Sequence, residues 1–319
     1  MGNPAIKRSD DWFYTSNNEP RGYIQPQRLD ELWFHTGTNC NLRCTFCFEG
    51  GKPGDRRIEP LTLADVQRFI AEALLLNVGR FAFTGGEPFV NPEIVAMLDL
   101  ALEQRPCLVL TNATEPLMHR FDDVLRLREK PHPLNFRISL DYPDPARHDQ
   151  SRGDGSFARA LDSLGRLHRA GFGVSIARLM AADEESASVD QAYRPFLDQA
   201  GVPHDLAIIK FPDFHRPTTS FSVPEITEDC MTRYLNAEQR TGFMCSFSKM
   251  IVRKNGQCGV YACTLVDDLT CYDLGPSLQA AMNERVMLGH HRCYACFSCG
   301  ATCSEADADS VSLREKTGV

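Results

Sequence analysis

Three cysteines within one short segment set the strongest constraint on what this chain can fold into. Cys40, Cys44 and Cys47 form a CxxxCxxC spacing just after the apolar, strand-like run 31–36. Thiols this close together can ligate one metal centre from a single loop, whereas a closed structural zinc site needs four ligands. A [4Fe–4S] cluster held by three cysteines keeps one iron open for a small chelating molecule. The spacing therefore predicts a cluster that binds a further ligand at the end of a strand.

Apolar strand-like runs alternate with helical patterns from Asp30 onward. Leu63, Val66 and Phe69 follow the three-and-four spacing of an amphipathic helix, and Gly79 marks its end before the next strand. Repeated strand–helix units predict a parallel sheet with helices outside it. The pattern predicts strands over 31–36, 80–84, 107–111, 134–140, 172–179 and 205–210, and helices over 62–77, 91–104, 115–128, 156–170 and 187–200.

Short polar motifs follow the predicted strands in order. Gly85-Gly86-Glu87-Pro88 ends the second strand, and Thr111-Asn112-Ala113-Thr114 ends the third. Barrels of parallel strands place their chemistry on the loops at the carboxyl ends of the strands, so each motif falls where an active site is expected. The last run begins at the fourth strand and comprises Ser139-Leu140-Asp141, His148-Asp149, Arg152-Gly153 and Gly155-Ser156-Phe157.

Together these motifs resemble the signature of the radical S-adenosylmethionine (SAM) superfamily. Phe46 matches the aromatic residue that this family commonly carries before its third cysteine. The resemblance implies a partial (β/α)₆ TIM-like barrel in which Cys40, Cys44 and Cys47 hold a [4Fe–4S] cluster and SAM binds the open iron. It also implies an enzyme of oxidoreductase or maturase type. Such an enzyme cleaves SAM reductively to a 5′-deoxyadenosyl radical, which abstracts a hydrogen atom from the substrate.

The resemblance also assigns SAM contacts. Glu87 would accept hydrogen bonds from the SAM amine, and Arg152 would pair with the SAM carboxylate through a charge-assisted bond. Seen alone, Asp141 would be interpreted as a helix cap and Arg152 as a solvated charge. Arg178 and Lys210, near predicted strand ends, would bind a substrate anion or a neighbouring carboxylate. The full set of expected SAM-binding residues is Phe46, Gly85, Gly86, Glu87, Asn112, Ser139, Asp141 and Arg152.

A second group of cysteines crowds the last third of the chain, with nine of the thirteen lying from Cys230 onward. The run Cys293-x2-Cys296-x2-Cys299-x3-Cys303 has the spacing of bacterial ferredoxins. With the cysteines upstream, it resembles the SPASM and twitch extensions of radical SAM enzymes, which carry two and one auxiliary [4Fe–4S] clusters. The spacing departs from the SPASM pattern, which has five residues rather than two between its second and third clustered cysteines.

The cysteine count permits one or two auxiliary clusters. Cys271 enters the second set only by elimination, and Cys230 is left as a spare thiol or a hydrogen-atom donor. Zinc is the alternative metal, because CxxC pairs also form zinc knuckles. The two predicted ligand sets are Cys245, Cys258, Cys263 and Cys303 for one cluster, and Cys271, Cys293, Cys296 and Cys299 for the other.

Composition narrows the class of protein further. A formal net charge of −8 gives no basic footprint for nucleic acid. No apolar run approaches the roughly 20 residues that span a bilayer, and no leader-like segment is present, so we expect a cytoplasmic protein. The predicted organisation is a lead-in segment (1–29), a radical SAM barrel (30–212) and a cysteine-rich auxiliary-cluster domain with a polar C-terminal tail (213–319).

Partners follow from the same interpretation. A small molecule or short peptide is the expected substrate, and a flavodoxin- or ferredoxin-type protein is the expected reductant. Two other classes compete with this interpretation. One is a non-catalytic iron–sulfur electron-transfer protein, which would need no SAM motifs. The other is a zinc-binding module on a degenerate barrel, which would contain zinc and no iron.

Overall fold

Parallel strand pairing organises the chain in the computed structural model, which describes residues 10–181, 184–212, 222–267 and 269–300. The strands are β1 (Tyr23–Ile24), β2 (Glu31–His35), β3 (Arg80–Thr84), β4 (Cys107–Thr111), β5 (Leu134–Ser139), β6 (Gly173–Met180), β7 (Ile208–Pro212), β8 (Ser248–Lys254), β9 (Gln257–Tyr261) and β10 (Val286–Met287). Short 3₁₀ helices cover Pro88–Val90, Leu127–Glu129 and Thr270–Tyr272.

Helices follow most of the strands. The α-helices are α1 (Asp10–Phe13), α2 (Leu63–Leu75), α3 (Ile94–Leu102), α4 (Glu115–Met118), α5 (Phe121–Arg126), α6 (Pro145–Arg152), α7 (Ser156–Arg169), α8 (Ser186–Gln191), α9 (Arg194–Ala200), α10 (Glu228–Arg233), α11 (Ala237–Thr241), α12 (Met244–Phe247), α13 (Leu278–Asn283) and α14 (His291–Cys299). In the described part of the chain, no helix combines the length and apolar character needed to span a membrane.

Eight of these strands form one sheet in the order β7-β6-β5-β4-β3-β2-β8-β9. Strands β2 to β7 pair in parallel with their neighbours, which confirms the predicted mixed α/β fold with a mainly parallel sheet. The predicted strands 80–84 and 107–111 match β3 and β4 at both ends. Their centres are buried apolar residues, as expected for parallel strands covered on both faces.

Helix boundaries follow local capping where the sequence supplies it. Thr62 caps α2: its hydroxyl accepts from the Asp65 N–H at 3.2 Å, and the Asp65 carboxylate accepts from the Thr62 N–H at 2.9 Å. The predicted helix 187–200 is instead two helices, α8 and α9, and Pro195 lies in the first turn of α9. Proline has no N–H to continue a preceding helix, so it starts a new one there. The predicted helix 115–128 likewise divides into α4 and α5.

The C-terminal hairpin extends the same sheet. Strand β8 pairs in parallel with β2, and β9 returns antiparallel to β8. Asn255 and Gly256 connect them with φ values of 51° and 73°, so both residues of the turn are left-handed. This geometry is typical of a two-residue hairpin turn, in which Asn-Gly is a favoured sequence.

The N-terminal segment packs against the C-terminal part of the chain. Strand β1 pairs antiparallel with β10, and the Gly22 N–H donates to the Ile226 carbonyl at 2.8 Å. The rings of Trp12 and Tyr272 meet edge to face with centroids 4.9 Å apart. The N-terminal segment is therefore anchored on the C-terminal part of the chain through backbone pairing and through aromatic packing.

Candidate active site

A cavity of about 120 Å³ lies at the carboxyl ends of the parallel strands. We call this cavity the first site. All of the residues predicted to hold the first cluster or SAM line it except Glu87. Of the predicted residues, the lining contains Cys40, Cys44, Phe46, Cys47, Gly85, Gly86, Asn112, Ser139, Asp141 and Arg152. The wall is completed by residues that the sequence analysis did not assign to SAM, including Phe48, Glu49, Leu110, Arg178, Leu179 and Phe211.

The three cysteines occupy a site where bare thiolates would be unfavourable. Burial, with the nearby Glu87 carboxylate adding to it, raises the pKa of Cys40 to about 12. Burial also raises the pKa values of Cys44 and Cys47, while the Arg152 guanidinium acts in the opposite direction on both. A bound cationic centre would offset this cost, because metal ligation stabilises the thiolate form. The donor set therefore fits an iron–sulfur cluster.

The glycine motif supports the cysteine loop through close backbone contact. Gly86 donates its N–H to the Gly37 carbonyl at 2.8 Å, and Glu87 donates to the Asn39 carbonyl at 3.1 Å. A Cβ on Gly86 would lie 2.5 Å from the Asn39 carbonyl oxygen, and one on Gly85 would lie 2.6 Å from the Gly37 oxygen. Gly85 also has φ +137°. Glycine is required at both positions because the loop that leads to Cys40 lies directly on this turn.

Glu87 lies behind the cavity and organises the neighbouring strand end. Its carboxylate accepts from the Thr111 hydroxyl at 2.9 Å, from the Asn112 N–H at 2.8 Å and from the Phe89 N–H at 3.1 Å. Burial outweighs these bonds and raises the pKa of Glu87 to about 7. The carboxylate thus joins the second and third motifs, and its predicted contact with the SAM amine stays a prediction.

Asn112 links the third motif to the cysteine loop. Its side-chain amide donates to the Asn41 side chain at 2.9 Å and lies 3.8 Å from the Cys40 sulfur. Its side-chain oxygen accepts from the Thr114 N–H at 3.0 Å, which forms the Asx turn that its sequence context favours. Ala113 adopts φ +54°, a left-handed conformation that glycine adopts more readily than alanine.

Asp141 and Arg152 face the cavity as an ion pair. The guanidinium makes two hydrogen bonds to the carboxylate, one from Nη2 to Oδ1 at 3.1 Å and a shorter one from Nε to Oδ2. The Arg152 guanidinium also lies 5.4 Å from the centre of the Phe46 ring. His148 supports the pair from below, since the Asp141 N–H donates to its Nδ1 at 3.3 Å. The structure therefore places two of the predicted SAM-binding residues side by side.

Arg178, on the far wall of the cavity, and Lys210, which does not line it, both contact carboxylates of the chain. Arg178 donates to Asp190 at 2.8 Å and to Glu184 at 2.5 Å, and Lys210 lies 3.2 Å from Asp190. Of the two roles predicted for Arg178 and Lys210, the structure shows the contact with a carboxylate of the chain itself.

A second pocket collects cysteines from the C-terminal part of the chain. It combines members of both predicted ligand sets, because the hairpin and α14 converge on it. Its sulfur-bearing residues include Cys245, Cys263, Cys293 and Cys296, and its other walls include Phe243, Leu265, Tyr272, Leu288 and Arg292. Burial raises the pKa of Cys245 to about 12 and that of Cys293 to about 11. Four buried thiols in one pocket are a donor set that fits a fully ligated cluster.

The remaining predicted ligands lie elsewhere. Cys258 sits on β9 opposite Arg253 and interacts with Asp65, away from the second pocket. Cys271 lies near Cys293 but does not line the pocket. Cys230 lies outside both cavities on α10, where the Thr227 hydroxyl donates to its sulfur at 3.2 Å. The predicted roles of the Cys299 side chain and of Cys303 lie outside the described residues.

Three charged residues near the two pockets were not predicted from the sequence. Lys249 is fully buried; burial lowers its pKa to about 8, against the influence of Cys245 and Cys263. Glu49 and Arg292 are also buried, and each lies within two residues of a cysteine in the sequence. The signal for Lys249 was a lysine directly before the apolar run Met250 to Val252, and proximity to a cysteine in the sequence was the signal for the other two.

The structure is a parallel α/β sheet in which three cysteines and a glycine turn face one cavity. This arrangement is typical of enzymes that hold an iron–sulfur cluster with one open iron at the carboxyl ends of their strands. A family model described as the Radical SAM superfamily matches residues 34–193. The chain belongs to the radical SAM superfamily. Membership implies a [4Fe–4S] cluster and SAM as cofactors and makes the chain an enzyme.

Curated relatives share part of this region. The chain is 27% identical over 139 residues to a GTP 3′,8-cyclase of Tolumonas auensis, covering 42% of this chain and 39% of the relative. It is 39% identical over 114 residues to a GTP 3′,8-cyclase of Mycolicibacterium smegmatis, covering 34% of this chain and 30% of the relative. The chain thus matches less than half the length of these curated relatives.

Solved structures share the fold. Streptococcus suis SuiB bound to S-adenosylmethionine superposes with a TM-score of 0.57 at 14% identity, over 78% of this chain and 63% of SuiB. A histidine-tagged anSMEcpe with bound AdoMet superposes with a TM-score of 0.55 at 15% identity, over 81% of this chain and 78% of that chain. At these identities the likeness concerns the fold.

Proposed function

We propose that this enzyme cleaves SAM reductively and abstracts a hydrogen atom from a small-molecule or peptide substrate. The observation that carries the proposal is that residues from four separate motifs line one cavity at the strand ends. Cys40, Cys44 and Cys47 would hold the cluster, which supplies the electron for SAM cleavage when bound. A flavodoxin- or ferredoxin-type protein would deliver that electron.

The protein's own groups would bind and orient SAM. The backbone of Gly85 and Gly86 lies against the cysteine loop, and we assign it to the SAM amine. Arg152 retains N–H groups beyond those it gives Asp141, because a guanidinium has five. We assign it to the SAM carboxylate, and Asp141 and Ser139 to the ribose. The Phe46 ring would pack near the adenine.

We further propose one auxiliary cluster on Cys245, Cys263, Cys293 and Cys296. This set replaces the two sets predicted from spacing, and its support is that all four cysteines are buried around one pocket. Lys249 adds a buried amino group that interacts with Cys245 and Cys263 and would offset the negative charge of a tetrathiolate cluster. The auxiliary cluster would transfer an electron or hold the substrate.

The first experiment is anaerobic reconstitution with iron and sulfide, followed by dithionite and SAM. We expect about eight irons per chain, four for each cubane, and formation of 5′-deoxyadenosine. Cys44→Ala should abolish SAM cleavage while leaving about four irons, those of the auxiliary cubane. Cys107→Ala is the matched control, because Cys107 is buried in β4 and lines neither cysteine cavity. Retained cleavage in Cys44→Ala would refute the site.

The auxiliary ligands need their own comparison. Cys296→Ala should lower the iron content by about one cubane, or four irons, and should leave abortive SAM cleavage. Cys258→Ala should leave the iron content unchanged, because Cys258 lies beside Asp65. An equal loss of iron in both variants would refute the four-cysteine assignment and restore a set that includes Cys258. Zinc without iron in the wild type would refute the auxiliary cluster.

Likeness to GTP 3′,8-cyclases makes GTP the second substrate to test. The described cavity lining argues against it, because its basic side chains, Arg152 and Arg178, are already paired with Asp141 and with Asp190. A triphosphate needs several such groups directed at it. We therefore expect GTP to leave the rate of 5′-deoxyadenosine formation unchanged, and a substrate-dependent increase would make cyclase activity the better assignment.

A further inference from the structure

The two cysteine cavities are joined by one buried arginine. Arg292 is 1% exposed and lines the second pocket, directly before Cys293 in the sequence. Its Nη2 donates to the Phe48 carbonyl at 2.9 Å, and its Nη1 donates to the Leu265 carbonyl at 3.1 Å. Phe48 directly follows Cys47 and lines the first cavity. One guanidinium therefore connects a residue next to a first-site cysteine with the wall of the second pocket.

Arginine is suited to this position by its shape. The planar fork donates to both carbonyls at once, and the guanidinium lies 5.5 Å from the centre of the Phe48 ring. Phe48 is thus held through its main chain and through its side chain. Lysine, with a single ammonium on a flexible stem, would not reproduce both directed bonds.

Buried carboxylates lie close in sequence to the two carbonyls that Arg292 binds, because Glu49 follows Phe48 and Asp267 lies two residues after Leu265. Glu49 contacts His35 at 3.0 Å, and Arg57 lies 3.9 Å from Glu49 and 3.8 Å from Asp267. Burial alone would raise the pKa of Glu49, but His35, Arg57 and Arg292 together hold it below its ordinary value. We call His35, Glu49, Arg57, Asp267 and Arg292 the ionic junction.

The ionic junction is a charge network rather than a metal site. His35, Glu49 and Asp267 lie close enough together to hold an ion. The Gly37 N–H, however, donates to His35 Nδ1 at 3.2 Å, so the ring proton is on Nε2 and is donated to Glu49. Arg57 lies within 3.9 Å of both carboxylates and supplies a compensating positive charge.

We propose that Arg292 is a positioning residue through which the C-terminal cysteine site sets the SAM-binding geometry of the first site. Filling the second pocket would fix α14, which carries Arg292 and Cys293, and with it the guanidinium that holds Phe48. The loop that ends at Cys47 would then be held in the arrangement that binds SAM. This inference rests on the proposed function, since it requires both cysteine sites to be filled.

The test is a double-mutant cycle on SAM affinity, measured on reconstituted protein by equilibrium binding. Arg292→Gln should keep both clusters by iron count and should weaken SAM binding about tenfold or more, because a buried charged donor is lost. Cys296→Ala should weaken it by a similar factor. The double variant should be no weaker than either single variant, because both changes act through one guanidinium.

Two further variants separate positioning from damage to the fold. Arg292→Lys should give an intermediate SAM affinity. Arg285→Gln is the control, because Arg285 is exposed on the same stretch of chain and contacts the Tyr23 ring at 4.5 Å, away from both cavities. The reduced first-site cluster should also give an electron paramagnetic resonance signal that responds less to SAM in Arg292→Gln than in wild type.

The outcomes distinguish this inference from the proposed function. A wild type that neither binds nor cleaves SAM would refute both. A wild type that binds SAM, with Arg292→Gln binding equally well at full iron content, would refute the coupling alone. Additive losses in the double variant would likewise refute it, because the two sites would then act independently.

Discussion

Replacing His148 by glutamine tests the electrostatics beneath the Asp141–Arg152 pair. The imidazole is 1% exposed, and its Nδ1 accepts the Asp141 N–H at 3.3 Å. Its Nε2 is buried without a hydrogen-bond partner among the described residues. Burial, together with the nearby Arg152 charge, lowers the pKa of His148 from 6.5 to about 4. The folded protein therefore holds this histidine neutral at pH values where the unfolded chain protonates it.

The sign and size of the effect follow from linkage between protonation and folding. Since the folded-state pKa is the lower one, stability is lost as the pH falls from about 6.5 towards about 4. Between about pH 7 and about pH 5, His148 becomes mostly protonated in the unfolded chain and stays mostly neutral in the folded chain. The free energy of unfolding then decreases by about 2 kcal/mol through this one group.

Urea unfolding followed by circular dichroism measures that decrease. Wild type and His148→Gln are compared at both pH values in the same metal-loaded state, so acid effects on the clusters are common to the two proteins. The stability difference between them should shift by about 2 kcal/mol in favour of the variant at about pH 5. His119→Gln, at an exposed histidine, is the control. The reasoning would be refuted if the difference in the free energy of unfolding between wild type and His148→Gln were the same at both pH values.

Two further predictions concern the backbone around the site. Gly86→Ala should lower the rate of SAM cleavage, measured as 5′-deoxyadenosine formation, at least tenfold, because its Cβ would lie 2.5 Å from the Asn39 carbonyl oxygen; an unchanged rate would contradict this prediction. Asp149→Ala should lower the free energy of unfolding by about 2 kcal/mol, because the carboxylate accepts from the Gly155 and Phe157 N–H groups at 2.7 and 2.8 Å. An unchanged urea midpoint would contradict the second prediction.

The first cavity was predictable because its information is local. Each motif follows its own strand, and parallel strands bring their carboxyl ends to one edge of the sheet, so order along the chain translates into proximity. Thr62 and Asp65 likewise fix the start of α2 through contacts three residues apart. What the sequence could not supply was the pairing of polar groups within the cavity. Asp141 and Arg152 were predicted to contact SAM separately, whereas the structure shows a contact between the two side chains.

The grouping of the C-terminal cysteines was not predictable from spacing, because long-range pairing decides it. Strand β8 joins β2 across more than two hundred residues of sequence, with Ser248 opposite Glu31. On β9, Cys258 pairs with Arg253, whose guanidinium binds Asp65 on α2 at 2.7 Å. Cys258 therefore belongs to the helix-covered side of the sheet. Cys263, beyond the end of the strand, turns towards Cys245 and α14.

The same pairing explains why the two cysteine sites share charged residues. His35 ends β2, and the cysteine loop follows it directly, while Asp267 follows the hairpin that β8 begins. Because β8 lies beside β2, the segment after the hairpin passes close to the end of β2, and Asp267 comes within 3.9 Å of His35. If the N-terminal and C-terminal segments folded separately, each would have to compensate its own buried charges, because a buried carboxylate is stable only with its partners present. The ionic junction therefore makes the C-terminal segment part of the structure that supports the first cavity.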